Sequence, residues 1–261
     1  MKMLVALLAL ASLALADDVT EEQKKKAEAE ARKPGAVEMP DPGTPVEDSA
    51  VARQRLARFH KAWKEAKKEP EACIEALKKV GEWDHPAIFK AVVKHISHKD
   101  HTVAVAAIQA SARQSKSFKK VASKFMRALK KEKRTNLVCG LLVGLGKIGY
   151  AKRDAIDVAR KNFKRDTGER HKAATRYFGY IKYKPAFRWL AEKLDAPQPG
   201  SVNSRTNPPA SYWKARWHEW ESNVAFTRWA ISQLIEGETF DTKDEAKQWA
   251  ESEGAKHGVK W

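Results

Sequence analysis

The sequence predicts an all-α fold, built as a solenoid of helix pairs. A pattern of an apolar helix, a short break and a basic amphipathic helix recurs from residue 51 to residue 196. The aligned breaks contain Gly81, Arg113, Gly146 and Gly179, which are separated by steps of 32, 33 and 33 residues. A fixed period of this size indicates stacked supersecondary units. Strand signals are nearly absent, because no alternating apolar run is joined to another by a two-residue turn.

The N-terminus, residues 1–16, has the pattern of a signal peptide. Lys2 precedes a mostly apolar stretch of 12 residues, Leu4–Leu15, and Ala14-Leu15-Ala16 provides an A-x-A cleavage site. A membrane-spanning helix needs about 20 apolar residues. We therefore expect cleavage after Ala16 and export of a soluble chain, periplasmic or extracellular, without a membrane span.

Residues 17–50 are predicted to form a charged and then Pro-rich linker. The first part is rich in Ala, Glu and Lys and has no apolar stripe that a helix could bury. The second part contains Pro34, Pro40, Pro42 and Pro45, which remove backbone donors and restrict the chain. The sequence therefore predicts no regular structure before the array.

The array itself, residues 51–196, reads as helices at regular intervals. A first helix is expected to end near Pro70, and a shorter one to span residues 71–80. Pro86 is tolerated in the first turn of the next helix. Asp100 is a candidate N-cap for a helix rich in small residues, since its carboxylate can accept from free backbone N–H groups. Two further helix pairs, with the same apolar spacing, complete the array.

The C-terminal part is expected to close the solenoid. Residues 197–210 form a Pro-rich loop, and residues 211–261 form a helical cap that contains six of the nine tryptophans. Trp213, Trp217 and Trp220 follow the spacing of one helical stripe, which predicts that they are buried. Thr242 and Glu245 have the spacing of a capping box at the start of a last helix.

The repeated units resemble HEAT repeats. The line Asp100-His101-Thr102-Val103-Ala104-Val105-Ala106-Ala107-Ile108 is similar to the opening helix of a unit in that family, and the resemblance covers about 146 residues, 51–196. The tail, Gly237-Glu238-Thr239-Phe240 followed by Trp249, looks like the closing segment of exported bacterial HEAT-repeat proteins with a Trp-rich C-terminus. The resemblance implies an α-solenoid that presents a binding surface.

The charge is concentrated in the array. Residues 51–196 contain 36 basic and 14 acidic residues, which favours anionic partners. A helical stripe of cations is predicted opposite the apolar side of one helix, at the spacing i, i+4, i+8, i+11, i+15. Its members are Lys116, Lys120, Lys124, Arg127 and Lys131. Two interpretations stay open, a binding surface for an anionic partner and an ordinary solvated helix face.

Two motifs point only weakly to ligands. The segment Gly144–Gly149 matches G-x-G-x-x-G, but a dinucleotide site needs a strand before the glycines, whereas these lie at a helix break. His95, His98 and His101 are close in sequence, yet a turn is predicted between them. We therefore expect neither a cofactor nor a metal site.

The sequence contains no recognisable catalytic motif, and we name no catalytic residue. Cys73 and Cys139 lie two repeat steps apart, 66 residues, so that two buried free thiols are favoured over a disulfide. We expect a non-catalytic binding or scaffold module that recognises a protein or an anionic polymer. Export makes nucleic acid the less favoured polyanion. An enzyme acting on a polyanionic substrate and a purely structural envelope protein are the alternatives, and the oligomeric state stays open.

Overall fold

The computed structural model describes residues 41–66, 69–164, 168–199 and 207–261. The predicted signal peptide and most of the predicted linker lie outside these ranges. Within them the chain is all-α, as predicted, with eleven α-helices and a pair of two-residue strands. None of the helices in the described ranges is long and apolar enough to cross a membrane.

Most of the helices follow one another with short connections. In chain order they are α1 (Ser49–Glu65), α2 (Pro70–Gly81), α3 (Pro86–Val92), α4 (His101–Ala112), α5 (Phe118–Leu129), α6 (Thr135–Lys147), α7 (Arg153–Phe163), α8 (Gly168–Tyr180), α9 (Phe187–Ala191), α10 (Ala210–Leu234) and α11 (Lys243–Ser252). Short 3-10 turns occupy Val93–His95, Ser115–Ser117, Lys184–Ala186 and Gly254–His257.

The even-numbered helices contact one another in succession. Helix α2 packs on α4, α4 on α6, α6 on α8, and α8 on α10. Four odd-numbered helices pack against members of this row, α1 against α2, α5 against α6, α7 against α8 and α9 against α10, and α11 packs against α9. Leu77, Leu141 and Tyr177 are among the fully buried side chains of the row, because each even helix has neighbours on several sides.

Side chains at the helix starts fix where several helices begin. The carboxylate of Asp100 accepts hydrogen bonds from the N–H groups of Thr102 (2.8 Å) and Val103 (3.2 Å), which confirms the predicted N-cap of α4. Thr242 and Glu245 form the predicted capping box of α11. These side chains satisfy backbone donors that the first turn of a helix leaves without partners.

The aligned break residues of the repeat lie at the ends of even-numbered helices. Gly81 ends α2, Arg113 follows α4, and Gly146 and Gly179 lie in the last turns of α6 and α8. After α6 the N–H of Gly149 donates to the carbonyl of Gly146 (2.8 Å), and the N–H of Tyr150 donates to that of Leu145 (3.0 Å). Gly149 has a φ of 68°, as this helix-ending motif requires. The G-x-G-x-x-G segment is therefore a helix terminus.

Regular structure begins within the range predicted as a linker. Strand β1 (Thr44–Pro45) pairs in parallel with β2 (Trp83–Asp84), and α1 begins at Ser49. The N–H of Gly43 donates to the carbonyl of Arg113 (2.9 Å), and the buried Val46 donates to that of Asp84 (3.1 Å). Proline removes only its own donor, so the residues around Pro45 keep theirs for pairing.

Both cysteines are buried free thiols, as predicted, and they form no disulfide. Cys73 lies in α2 and Cys139 in α6, and α4 packs between these two helices. Burial raises the pKa of the Cys139 thiol to about 12. This thiol is therefore protonated and unreactive at neutral pH, because the thiolate is the nucleophile.

Candidate basic groove

The predicted cationic stripe is shorter than the sequence indicated. Lys120, Lys124 and Arg127 lie on α5 and are exposed. Lys116 lies in the 3-10 turn before α5, where its N–H donates to the Asp84 carboxylate (3.1 Å), and Lys131 lies in the turn after the helix. The helical spacing of the five cations therefore holds only for the three in the middle, because α5 has twelve residues.

The surface around α5 is strongly positive. Residues 115–134 contain nine basic residues and one acid, Glu132. Two hydrogen bonds from the Arg134 guanidinium, at 3.0 Å and 2.9 Å, occupy that carboxylate and lower its pKa to about 2. Within the described ranges no carboxylate forms an ion pair with the three α5 cations Lys120, Lys124 and Arg127. Mobile ions of the solvent therefore have access to their charge and screen it.

A groove of about 530 Å³ lies between α5 and the start of α7. We call it the basic groove. Its lining combines four cations with apolar side chains and a single acid. The lining residues are Phe118, Lys119, Ser123, Met126, Arg127, Lys130, Tyr150, Lys152 and Asp154. The cations come from both walls, so that an anion inside the groove is within reach of side chains from two helical units.

Aromatic side chains border the groove. Phe118, the first residue of α5, is 44% exposed, although its ring is large and apolar. Tyr150 is half-buried, and its carbonyl accepts a hydrogen bond from the Tyr177 hydroxyl (2.7 Å), which ties this turn to α8. The Lys152 ammonium lies 5.9 Å from the Tyr150 ring centroid, within cation–π distance. The groove can therefore hold a ligand that has both negative charge and a flat apolar face.

The groove only partly coincides with the predicted stripe. Arg127 belongs to both, whereas Lys120 and Lys124 are outside the lining. Its lining contains Lys119 and Lys130 instead, each of which is one residue before a member of the stripe, Lys120 or Lys131. Sequence reasoning missed Lys119 and Lys152 as a pair, although their separation of 33 residues equals the repeat and was a usable signal.

The three histidines of the 95–101 segment have separate roles. The ring of His95 packs on Trp63 with centroids 3.9 Å apart. The Nδ1 of His98 accepts a hydrogen bond from the Asp100 N–H (3.1 Å), and His101 is exposed in the first turn of α4. Among the described residues, no three His, Cys, Asp or Glu side chains are grouped so that they could hold a metal ion.

The prediction that the tryptophan stripe is buried is wrong for Trp217, which is 45% exposed. The buried residues of α10 are Val224, Thr227, Ala230, Ile231 and Leu234, all in its C-terminal half. Helix α10 has 25 residues, whereas its neighbour α8 has 13, a difference in length of roughly 18 Å. Its N-terminal half therefore extends past α8. Trp220 is half-buried and donates from Nε1 to the Leu194 carbonyl (3.0 Å).

No protein-family model, no curated protein and no solved structure matches the chain.

Proposed function

We propose that the chain is a non-catalytic binding module, which recognises an anionic partner through the basic groove and the adjoining surface of α5. The fold we propose for it is an α-solenoid of helix pairs similar to HEAT repeats. The succession of contacts among the even-numbered helices, and the helix ends that recur every 32 or 33 residues, support this proposal. Export through the signal peptide of residues 1–16 is part of it.

The observation that carries the proposal is the charge imbalance in an accessible groove. Lys119, Arg127, Lys130 and Lys152 line it, and Asp154 is its one acid. Repulsion among like charges destabilises a folded chain, and Phe118 exposes a large apolar ring beside these charges. Both features have a use if a partner covers them. An anionic ligand reduces the repulsion and is attracted at long range.

A catalytic role on the same substrate class has less support. Cleavage of a polyanion by acid–base chemistry requires an acid and a base within hydrogen-bond reach of the substrate. Asp154 is the only carboxylate in the lining, and its Oδ1 already accepts a hydrogen bond from the Ala155 N–H (3.0 Å). We therefore favour binding without reaction.

The test is charge reversal on α5 with a matched control. In the test variant, Lys120, Lys124 and Arg127 become Glu. In the control variant, three exposed lysines of α1 and α2, Lys61, Lys64 and Lys78, become Glu. Both variants lower the net charge by six. Retention on immobilised heparin, an anionic probe, is measured at low and high salt.

We expect the α5 variant to lose binding by about tenfold or more at low salt, and the control to lose much less, since both have the same net charge but only one has lost the local field. The difference between the variants should disappear at high salt. Equal losses in the two variants would contradict the proposal, because net charge alone would then explain retention.

A further inference from the structure

A second groove shares helix α7 with the basic groove. It has a volume of about 340 Å³ and lies between α7 and α9. Its lining again combines cations with aromatic rings. The lining residues are Arg160, Phe163, Lys164, Trp189, Glu192 and Lys193. We call it the second groove.

The second groove also presents a cation beside an aromatic ring. The Arg160 guanidinium lies 4.7 Å from the centroid of the half-buried Trp189 ring, a cation–π contact that restrains an exposed side chain. Glu192, the acid of this groove, is paired with Arg188 (3.3 Å). Because this carboxylate is paired with Arg188, the guanidinium of Arg160 can interact with another anion.

Cations at equivalent positions of successive repeat units line the two grooves. Lys94, Arg127, Arg160 and Lys193 are separated by 33 residues at every step. Arg127 lines the basic groove, and Arg160 and Lys193 line the second. Lys94, Arg127 and Arg160 are exposed. Residues at equivalent positions of stacked units are expected to form a row along the stack.

We infer that the anionic partner is a linear acidic polysaccharide, which lies across α5, α7 and α9 and occupies both grooves. This inference rests on the proposed function and names its ligand class. Cations that recur from one helix pair to the next fit a linear chain with repeated anionic groups. The proposed export of the chain favours a polysaccharide over nucleic acid as the polyanion. The exposed ring of Phe118 provides a flat face for the apolar side of a sugar ring.

A ligand that spans two grooves predicts a dependence on chain length. An oligosaccharide that fills one groove gains one set of contacts. One that reaches the second groove gains another set without a second loss of translational freedom, which multiplies its affinity by about a hundredfold or more. A globular acidic partner has no such dependence.

The experiment titrates the full-length mature chain with heparin-derived oligosaccharides of increasing length, from disaccharide upward, by calorimetry. For the unmodified chain we expect affinity to rise about a hundredfold at the length that first spans both grooves. Arg160→Glu should remove this rise and leave the affinity for short oligosaccharides nearly unchanged. Arg127→Glu should weaken short and long chains alike. Lys161→Glu, with the same change on the adjacent exposed residue of α7, is the control and should retain the rise.

The possible failures are distinguishable. Binding that is independent of length, or a rise that survives Arg160→Glu, would overturn the two-groove ligand but leave the proposed function intact. Single-stranded DNA that binds more tightly than an oligosaccharide of equal charge would overturn the polysaccharide assignment. Absence of binding to every anionic probe would overturn the proposed function as well. Arg160→Gln repeats the test without charge reversal, and circular dichroism checks that each variant is folded.

Discussion

Gly179, near the end of α8, lies directly against the indole ring of Trp229 in α10. A Cβ atom added at Gly179 would lie 2.6 Å from Cζ3 of that ring and 3.1 Å from the Cα of Ala230. Tyr180 also packs edge-on against this ring, with centroids 5.0 Å apart, which restrains its movement. The absence of a side chain at position 179 therefore allows the last repeat and the C-terminal helix to approach closely.

Substitution of Gly179 by Ala should destabilise the protein, although alanine is the better helix former. Overpacking costs about 1–3 kcal/mol, which exceeds the gain of about 1 kcal/mol in helix propensity. Gly146→Ala is the comparison, since its added Cβ would be 3.1 Å from its nearest neighbour and should cost less. Urea unfolding of the two variants measures the difference. A Gly179→Ala protein as stable as the unmodified chain would show that α10 can move away from α8.

Substitution of Trp217 by Ala should have little effect on stability. The side chain is 45% exposed and lies in the part of α10 that extends past α8, so we expect a loss of less than about 1 kcal/mol. Ile231→Ala, at a fully buried position of the same helix, should cost about 2–5 kcal/mol. Thermal unfolding compares the two. A large loss at Trp217 would mean that another part of the protein covers this ring.

The stability of the N-terminal helices should fall as the pH is lowered through the range in which histidine is protonated. Burial lowers the pKa of His95 below 6.5, and the nearby His98, Lys94 and His60 lower it further. The unfolded chain therefore binds this proton more readily than the folded chain. The stabilisation is complete above pH 6.5 and is lost as the pH falls from there through the folded pKa.

The measurement is urea unfolding at about pH 7.5 and about pH 5.5. The His95→Gln variant should be less stable at the higher pH, because the contact with Trp63 is lost, and its stability should change less between the two values. His101→Gln, at an exposed position of α4, is the control. If His95→Gln and the unmodified chain lose equal stability on acidification, His95 is not responsible for the change.

Much of the helical framework was predictable because its signals are local. The N-cap at Asp100, the capping box of Thr242 and Glu245, and the break after Gly146 all depend on hydrogen bonds between residues a few positions apart. The candidate site was only partly predictable. The basic character of α5 is evident in its composition, but the stripe spacing selected Lys120 and Lys124, and the groove is lined by Lys119 and Lys130.

The sequence by itself determined the all-α class, the positions of several helix ends and the concentration of positive charge in the array. The tertiary structure alone decided that α7 forms the second wall of the basic groove, that Trp217 is exposed, and that Gly43–Val46 pairs beside Trp83. The physical reason is the separation along the chain of the residues that interact. A helix end is set by the backbone groups of adjacent turns, whereas exposure depends on the lengths and positions of neighbouring elements, which no single segment of the chain contains.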